Sequence, residues 1–200
     1  MLDLSHLTAL HRELCARWHR EEIDNPYAGL EAIVCRQFSF NFQLWHEEDI
    51  ARSPDVSDAE IAQVKRAIDR FNQQRNDWIE KIDDYVTDDL AARGVTAADG
   101  ARQNTETIGS AIDRLSILAL RIFHLEEQRD RADASAEHVQ NVTRKLAIAY
   151  AQLADLTQSA QETADDLYAG RKRHKTYRQL KMYNDPTMNP YLYQAAKKTA

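Results

Sequence analysis

Residues 57–94 read SDAEIAQVKRAIDRFNQQRNDWIEKIDDYVTDDLAARG, a stretch bounded at both ends by helix signals. It opens with a capping box: the Ser57 hydroxyl can accept from the backbone N–H three residues on, and Glu60 can reach back to the N–H of Ser57. It closes on Gly94, the residue type that most readily adopts the left-handed conformation ending a helix. Between these signals Ile61, Val64, Ile68, Phe71, Arg75, Trp78, Ile82 and Tyr85 alternate steps of three and four, the repeat of a helix that buries one stripe. The pattern predicts one long amphipathic helix, with an arginine at a position where packing favours leucine.

The flanking sequence extends the same architecture. A first helix is expected over about residues 3 to 23, stopped by Asp24-Asn25-Pro26, with Asn25 as N-cap and Pro26 as the first residue of a second helix. That helix runs to Ser53, where Pro54 ends it. Beyond a loop containing Gly94 and Gly100, a helix starts near Thr105. A last one spans about 135 to 169, where Val139, Val142, Leu146, Ala149, Leu153, Leu156, Ala160, Thr163 and Leu167 form its stripe before Gly170. Only five glycines and four prolines punctuate 200 residues, and neither strand signals nor internal repeats stand out. The expected fold is all-α: an antiparallel bundle of long helices forming a single helical domain over residues 1–200.

Composition bounds the function classes. An apolar share of 43% beside 29% charged is that of a globular chain with a core, not of a disordered one. No apolar run approaches the roughly 20 residues that cross a bilayer, so no membrane partner and a cytoplasmic location are expected. Cys15 and Cys35 stand in apolar helical contexts without metal spacing, and read as reduced, buried thiols. Charge is divided unevenly. Residues 171–200 hold eight Lys or Arg and one acid, while the first 170 hold 18 basic and 31 acidic side chains. A basic, tyrosine-rich tail on an acidic body is expected to pack back on that body, starting with a short basic helix and continuing irregularly through the Asn-Asp-Pro and Asn-Pro steps. Nucleic acid is disfavoured as a partner, because the acidic body would repel the rest of a duplex. The stripe over residues 139 to 167 could pair two copies as a homodimer. His138 and His174 read as solvated.

Charged residues interrupt three helices where a core is expected. On the second helix Val34, Phe38, Asn41 and Trp45 share a stripe, which the sequence WHEEDIAR (45–52) continues through Glu48 or Asp49 to Arg52. On the third, Arg75 occupies a seam position, with Asn76, Glu80 and Asp83 at helical spacing nearby. On the fourth, Asp113, Ile117, Leu120 and His124 share a stripe, with Arg114 beside it. An inward carboxylate costs several kcal/mol unless an opposite charge, a metal or hydrogen bonds compensate it. A polar interior, or a cleft lined by one, is the expectation.

Four segments in order, WHEEDIAR, NQQRNDWIEKID, NTETIGSAIDRLSILALRIFH and KMYNDPTMNP, resemble the signature segments of the bacterial family called domain of unknown function 4254, over residues 40 to 190. The family name carries no activity. The resemblance implies a shared site, and a setting near envelope-polysaccharide glycosyltransferases.

Three readings of the charged residues stand side by side. In the first they form a structural network that fixes helix register in a non-catalytic scaffold or interaction protein. In the second they line a pocket for an anionic small molecule, a nucleotide or phosphosugar. There Arg52, Arg75, Asn76, Arg114, Lys181 and Tyr183 would bind substrate, and His46, Glu48, Asp49, Asp113 and His124 would supply the catalytic groups. In the third, Glu47 or Glu48 with Glu80 and Asp83 holds a divalent cation such as magnesium, a set resembling in outline the pattern of all-α nucleotide pyrophosphohydrolases.

Overall fold

A computed structural model of the chain describes residues 2–179, 182 and 185–198. Among these residues the elements run α1 (Leu4–Trp18), α2 (Gly29–Ala51), α3 (Asp58–Ala92), β1 (Arg102–Gln103), α4 (Ile108–Asp130), α5 (Ala136–Tyr168), β2 (Lys172–Arg173) and α6 (Pro190–Lys198). The protein is mostly helical, as the capping and stripe signals require. Ser57, Thr107 and Ser135 cap α3, α4 and α5, each accepting from the N–H three residues on. The end of α3 closes as expected, with the N–H of Val95 donating to Leu90 O and that of Gly94 to Ala91 O. None of the described helices is long and apolar enough to cross a membrane.

Short connections fold α2 back on α3 and α4 back on α5, and α1 packs against α4, α5 and α2. The main core joins Leu4, Leu7 and Leu14 of α1, Val34 and Phe38 of α2, Ile82 and Val86 of α3, Ile112 and Leu115 of α4, and Leu146 and Leu153 of α5. A smaller cluster of Leu44, Val64 and Ile68, with Phe71 against it, fills the far end of the α2–α3 hairpin. Between the two clusters the α3 stripe carries Arg75 and the α2 stripe carries Asn41, which places the polar positions at a junction of apolar regions. The stripe of α5 is buried within the chain itself through Val142, Leu146, Ala149, Leu153, Ala160 and Leu167, so the face assigned to a homodimer is already covered by the chain's own helices.

Three local expectations are corrected. Pro26 does not begin α2, which starts at Gly29 after an N-cap at Ala28. Asp24 accepts from Arg17 Nη2 at 2.5 Å and from Trp18 Nε1 at 3.2 Å, folding the connection back on the end of α1 before the next helix can start. The segment after Gly170 is not a short basic helix. It runs extended, pairing β2 with β1 in parallel register, Arg102 opposite Lys172 and Gln103 opposite Arg173. Arg178 then reaches Glu80 and Asp84, one turn apart on α3, and Gln179 N donates to Glu80 Oε1. His174, read as solvated, instead bonds Thr87 Oγ1 at 3.0 Å. Gly170 makes the reversal possible: its φ is +69°, and an added Cβ would lie 2.6 Å from Thr96 O.

Two buried features dominate the packing. Gly109 lets α4 approach α3 so closely that a Cβ would stand 2.5 Å from Ile79 O and 2.9 Å from Asp83 Oδ1. Gly109→Ala should therefore separate the helices at a cost of about 1–3 kcal/mol by urea denaturation, and an unchanged midpoint would contradict this contact. His11 is fully buried beside Phe38, with neither ring nitrogen hydrogen-bonded. Burial pushes it from 6.5 down to about 4, against the pull of Asp113. Between these values the unfolded chain takes up a proton that the folded chain refuses. Stability thus falls on acidification through this window, by on the order of 3 kcal/mol from this group. His11→Leu should lose correspondingly less stability than the wild type between pH 6.5 and 4; parallel losses would rule the assignment out.

Candidate functional site

The polar junction is organised around Asp113 of α4, which is 5% exposed. Its Oδ1 accepts from Gln37 Nε2 at 2.7 Å and Asn41 Nδ2 at 2.8 Å, both on α2, and from Arg75 Nε at 2.7 Å. Its Oδ2 accepts from Arg75 Nη2 at 2.5 Å. Asn41 Nδ2 also donates to Ser116 Oγ, and that hydroxyl donates to the carbonyl of Asp113. One carboxylate is therefore saturated by donors from two neighbouring helices. The hydrogen bonds to Asp113, working against burial, hold the Arg75 guanidinium above its usual range.

Outside this hub, α2, α3 and α4 leave a cleft of about 400 Å³. Asn41, Leu44, Trp45, Glu48, Asp49 and Arg52 line it from α2, Asn72 and Arg75 from α3, and Ile117 and Leu120 from α4. Glu48, Asp49, Arg52 and Arg75 are thus brought together, with Asp113 behind Arg75. The WHEEDIAR charges are less buried than their stripe suggests. The helix emerges from the bundle after Trp45, Asp49 is exposed, and Glu48 pairs with Arg52 at 2.8 Å as an open i, i+4 bridge. The buried charge behind this cleft is Asp113.

Other expected members lie elsewhere. Asn76 is half-buried and outside the cleft lining, whereas Asn72, one turn before Arg75, lies within it. Arg114 points about 100° away from Asp113 around α4, as adjacent helical residues must, and bonds Glu106 at 2.8 Å. Glu80 binds the tail through Arg178 and Gln179. Asp83 is buried and accepts from Gly109 N at 2.7 Å, satisfying one of the orphan donors at the start of α4; burial pushes its carboxyl up. Glu48, Glu80 and Asp83 consequently do not converge as a magnesium site. Lys181 and Tyr183 lie outside the described residues.

His46 and His124 line no part of the cleft. They meet His19, at the C-cap of α1, in a cluster in which one ring nitrogen from each lies within 4.8 Å of the others. Trp45 joins the two regions, lining the cleft while its ring stacks on His124 at 4.8 Å. Burial holds His19 below the usual imidazole range, opposed by its bond to the Cys15 carbonyl. The neighbouring Cys15 thiol is pushed up to about 12 by burial, which keeps it protonated. Sequence reasoning passed over His19 because it follows the α1 stripe at the helix end. It also left Gln37 out, although Gln37 stands one turn before Asn41, a polar pair at buried spacing.

The hub predicts a specific stability pattern. Arg75→Leu leaves Asp113 buried without its cation and should cost about 3–5 kcal/mol. The double variant Arg75→Leu/Asp113→Leu should recover part of this loss in urea denaturation at pH 7. A loss below about 1 kcal/mol for Arg75→Leu would show that the pair contributes little.

Neither a curated protein nor a solved structure matches the chain. One family does, over residues 31–176, a span that takes in all but the first two residues of α2, then α3 to α5 with the whole Asp113 hub and cleft, and that ends before the KMYNDPTMNP segment. The chain belongs to the family described as Protein of unknown function (DUF4254).

Proposed function

We propose that the cleft between α2, α3 and α4 binds a small phosphate-bearing molecule, a nucleotide or a phosphosugar. The observation that carries this reading is the placement of Arg75: its Nε and Nη2 are fixed by Asp113 while its side chain still faces a cleft of about 400 Å³. A guanidinium held in this way presents its remaining N–H donors without further loss of side-chain freedom. Arg52 supplies a second cation at the rim, 68% exposed and able to leave Glu48 for a phosphate. Asn72 offers an amide group, Trp45 offers an apolar wall, and Glu48 and Asp49 suit sugar hydroxyls or a magnesium ion carried in with the phosphates. The volume is that of a small-molecule site. The proposal concerns binding.

A second reading is favoured by one observation: both oxygens of Asp113 are satisfied by the chain's own donors. On that reading the network only fixes helix register, in a non-catalytic scaffold associated with envelope-polysaccharide synthesis.

Thermal-shift titration separates the two. A nucleotide or sugar nucleotide at about 100 times its Kd should add about 2.7 kcal/mol of stability, raising the midpoint by roughly 5–10 °C for a chain of this size. Arg52→Ala should weaken the response at least several-fold while leaving the unliganded midpoint unchanged. If nucleotides, sugar nucleotides and inorganic phosphate, each with and without magnesium, leave the midpoint fixed, the scaffold reading stands.

A further inference from the structure

The histidine cluster carries an inference independent of the cleft. His19 Nδ1 lies 2.6 Å from the Cys15 carbonyl, and His46 Nδ1 lies 2.8 Å from the Phe42 carbonyl. A carbonyl oxygen only accepts, so in both rings Nδ1 carries the proton and Nε2 carries the lone pair. His124 Nδ1 lies 2.8 Å from Glu127 Oε2, which sets the same tautomer. With every Nδ1 committed in this way, the Nε2 atoms are the ones left as acceptors for a cluster whose ring nitrogens lie within 4.8 Å of one another. The Nε2 atoms of His19 and His124 are buried without any hydrogen-bond partner. Three converging lone pairs repel unless a cation lies between them. The Nδ1 partners, two carbonyls and a carboxylate, are those that orient metal-bound histidines elsewhere and raise their basicity.

We propose that His19, His46 and His124 hold a divalent transition-metal ion, zinc by the chemistry of its ligands, through their Nε2 atoms. Imidazole nitrogen suits zinc and its first-row neighbours, whereas magnesium prefers oxygen. The ligand atoms, spread over up to 4.8 Å, need to close to about 3.3 Å, the separation set by zinc–nitrogen bonds of about 2.0–2.1 Å in a tetrahedron. Binding therefore requires the three helix segments and their rings to draw together by about an ångström around the ion. Among the described residues no fourth His, Cys, Asp or Glu joins the group. One coordination position is thus left to water or to a ligand oxygen, the arrangement of catalytic rather than structural zinc sites. Phe123 stacked on His19 at 4.0 Å and Trp45 stacked on His124 fix the ring planes and restrict solvent.

The test uses untagged protein, freed of metal with a chelator and titrated with Co²⁺. One equivalent should bind and give the visible absorption of a low-coordinate, nitrogen-ligated ion, which one equivalent of Zn²⁺ then displaces. His46→Ala and His124→Ala should each abolish the band, while His6→Ala, which alters only an exposed histidine paired with Glu31, should not. Glu127→Gln should keep one equivalent but weaken affinity by about 10- to 100-fold. Should the histidine variants fail to fold, ¹⁵N spectra of the wild-type rings provide the same answer: zinc must shift three Nε2 signals and leave the Nδ1–H tautomers in place. The proposal is overturned if the wild type gives no band, if the band survives loss of both His46 and His124, or if the rings share a proton and ignore zinc.

Discussion

The bidentate bond between Arg75 and Asp113 is the constraint on which the centre of this molecule depends. Asp113 is nearly inaccessible, and a lone carboxylate there would be intolerable. Arg75 supplies the charge, and Gln37 and Asn41 satisfy the lone pairs that Arg75 leaves. Because these donors come from α2 and α3 while the acceptor is on α4, the network cannot form unless three helices are in register. Apolar packing alone would tolerate small slides along those seams, whereas a saturated carboxylate does not.

This junction also explains why a cleft exists where it does. The main core and the small cluster at the hairpin tip do not merge, since α3 carries Arg75 and α2 carries Asn41 between them. Polar side chains that must meet a single buried acid cannot also interdigitate as leucines would. The gap remains open on the side where α2 runs out past the bundle with Glu48, Asp49 and Arg52. Polar satisfaction on the inside and incomplete packing on the outside share one cause.

The helices were legible because their signals are local. The capping residue Ser57 and glycines at 94 and 170 mark boundaries through backbone chemistry that needs no tertiary partner. The Arg75 interruption was legible for the same reason, as a break in a stripe. Elsewhere tertiary contacts decided the outcome. Pro26 looked like a helix start, but the bonds of Asp24 to the end of α1 delay α2. The basic residues after Gly170 looked helical, yet pairing with β1 and the reach of Arg178 hold them extended. The histidine trio was the least legible, since it depends on how three helices cross, and His19 has no periodic neighbour to announce it.

The position of α1 has a consequence for how the chain acquires its structure. Leu4, Leu7 and Leu14 are covered by α4 and α5, which begin only at Ile108 and Ala136. During synthesis this apolar face emerges before the helices that cover it, while the α2–α3 hairpin can close as soon as its own residues are out. A nascent chain of this kind carries an exposed greasy helix until α4 and α5 have been made, a period in which aggregation competes with folding. The long sequence separation of the final contacts makes docking of α1 a slow step in assembling an otherwise locally connected bundle.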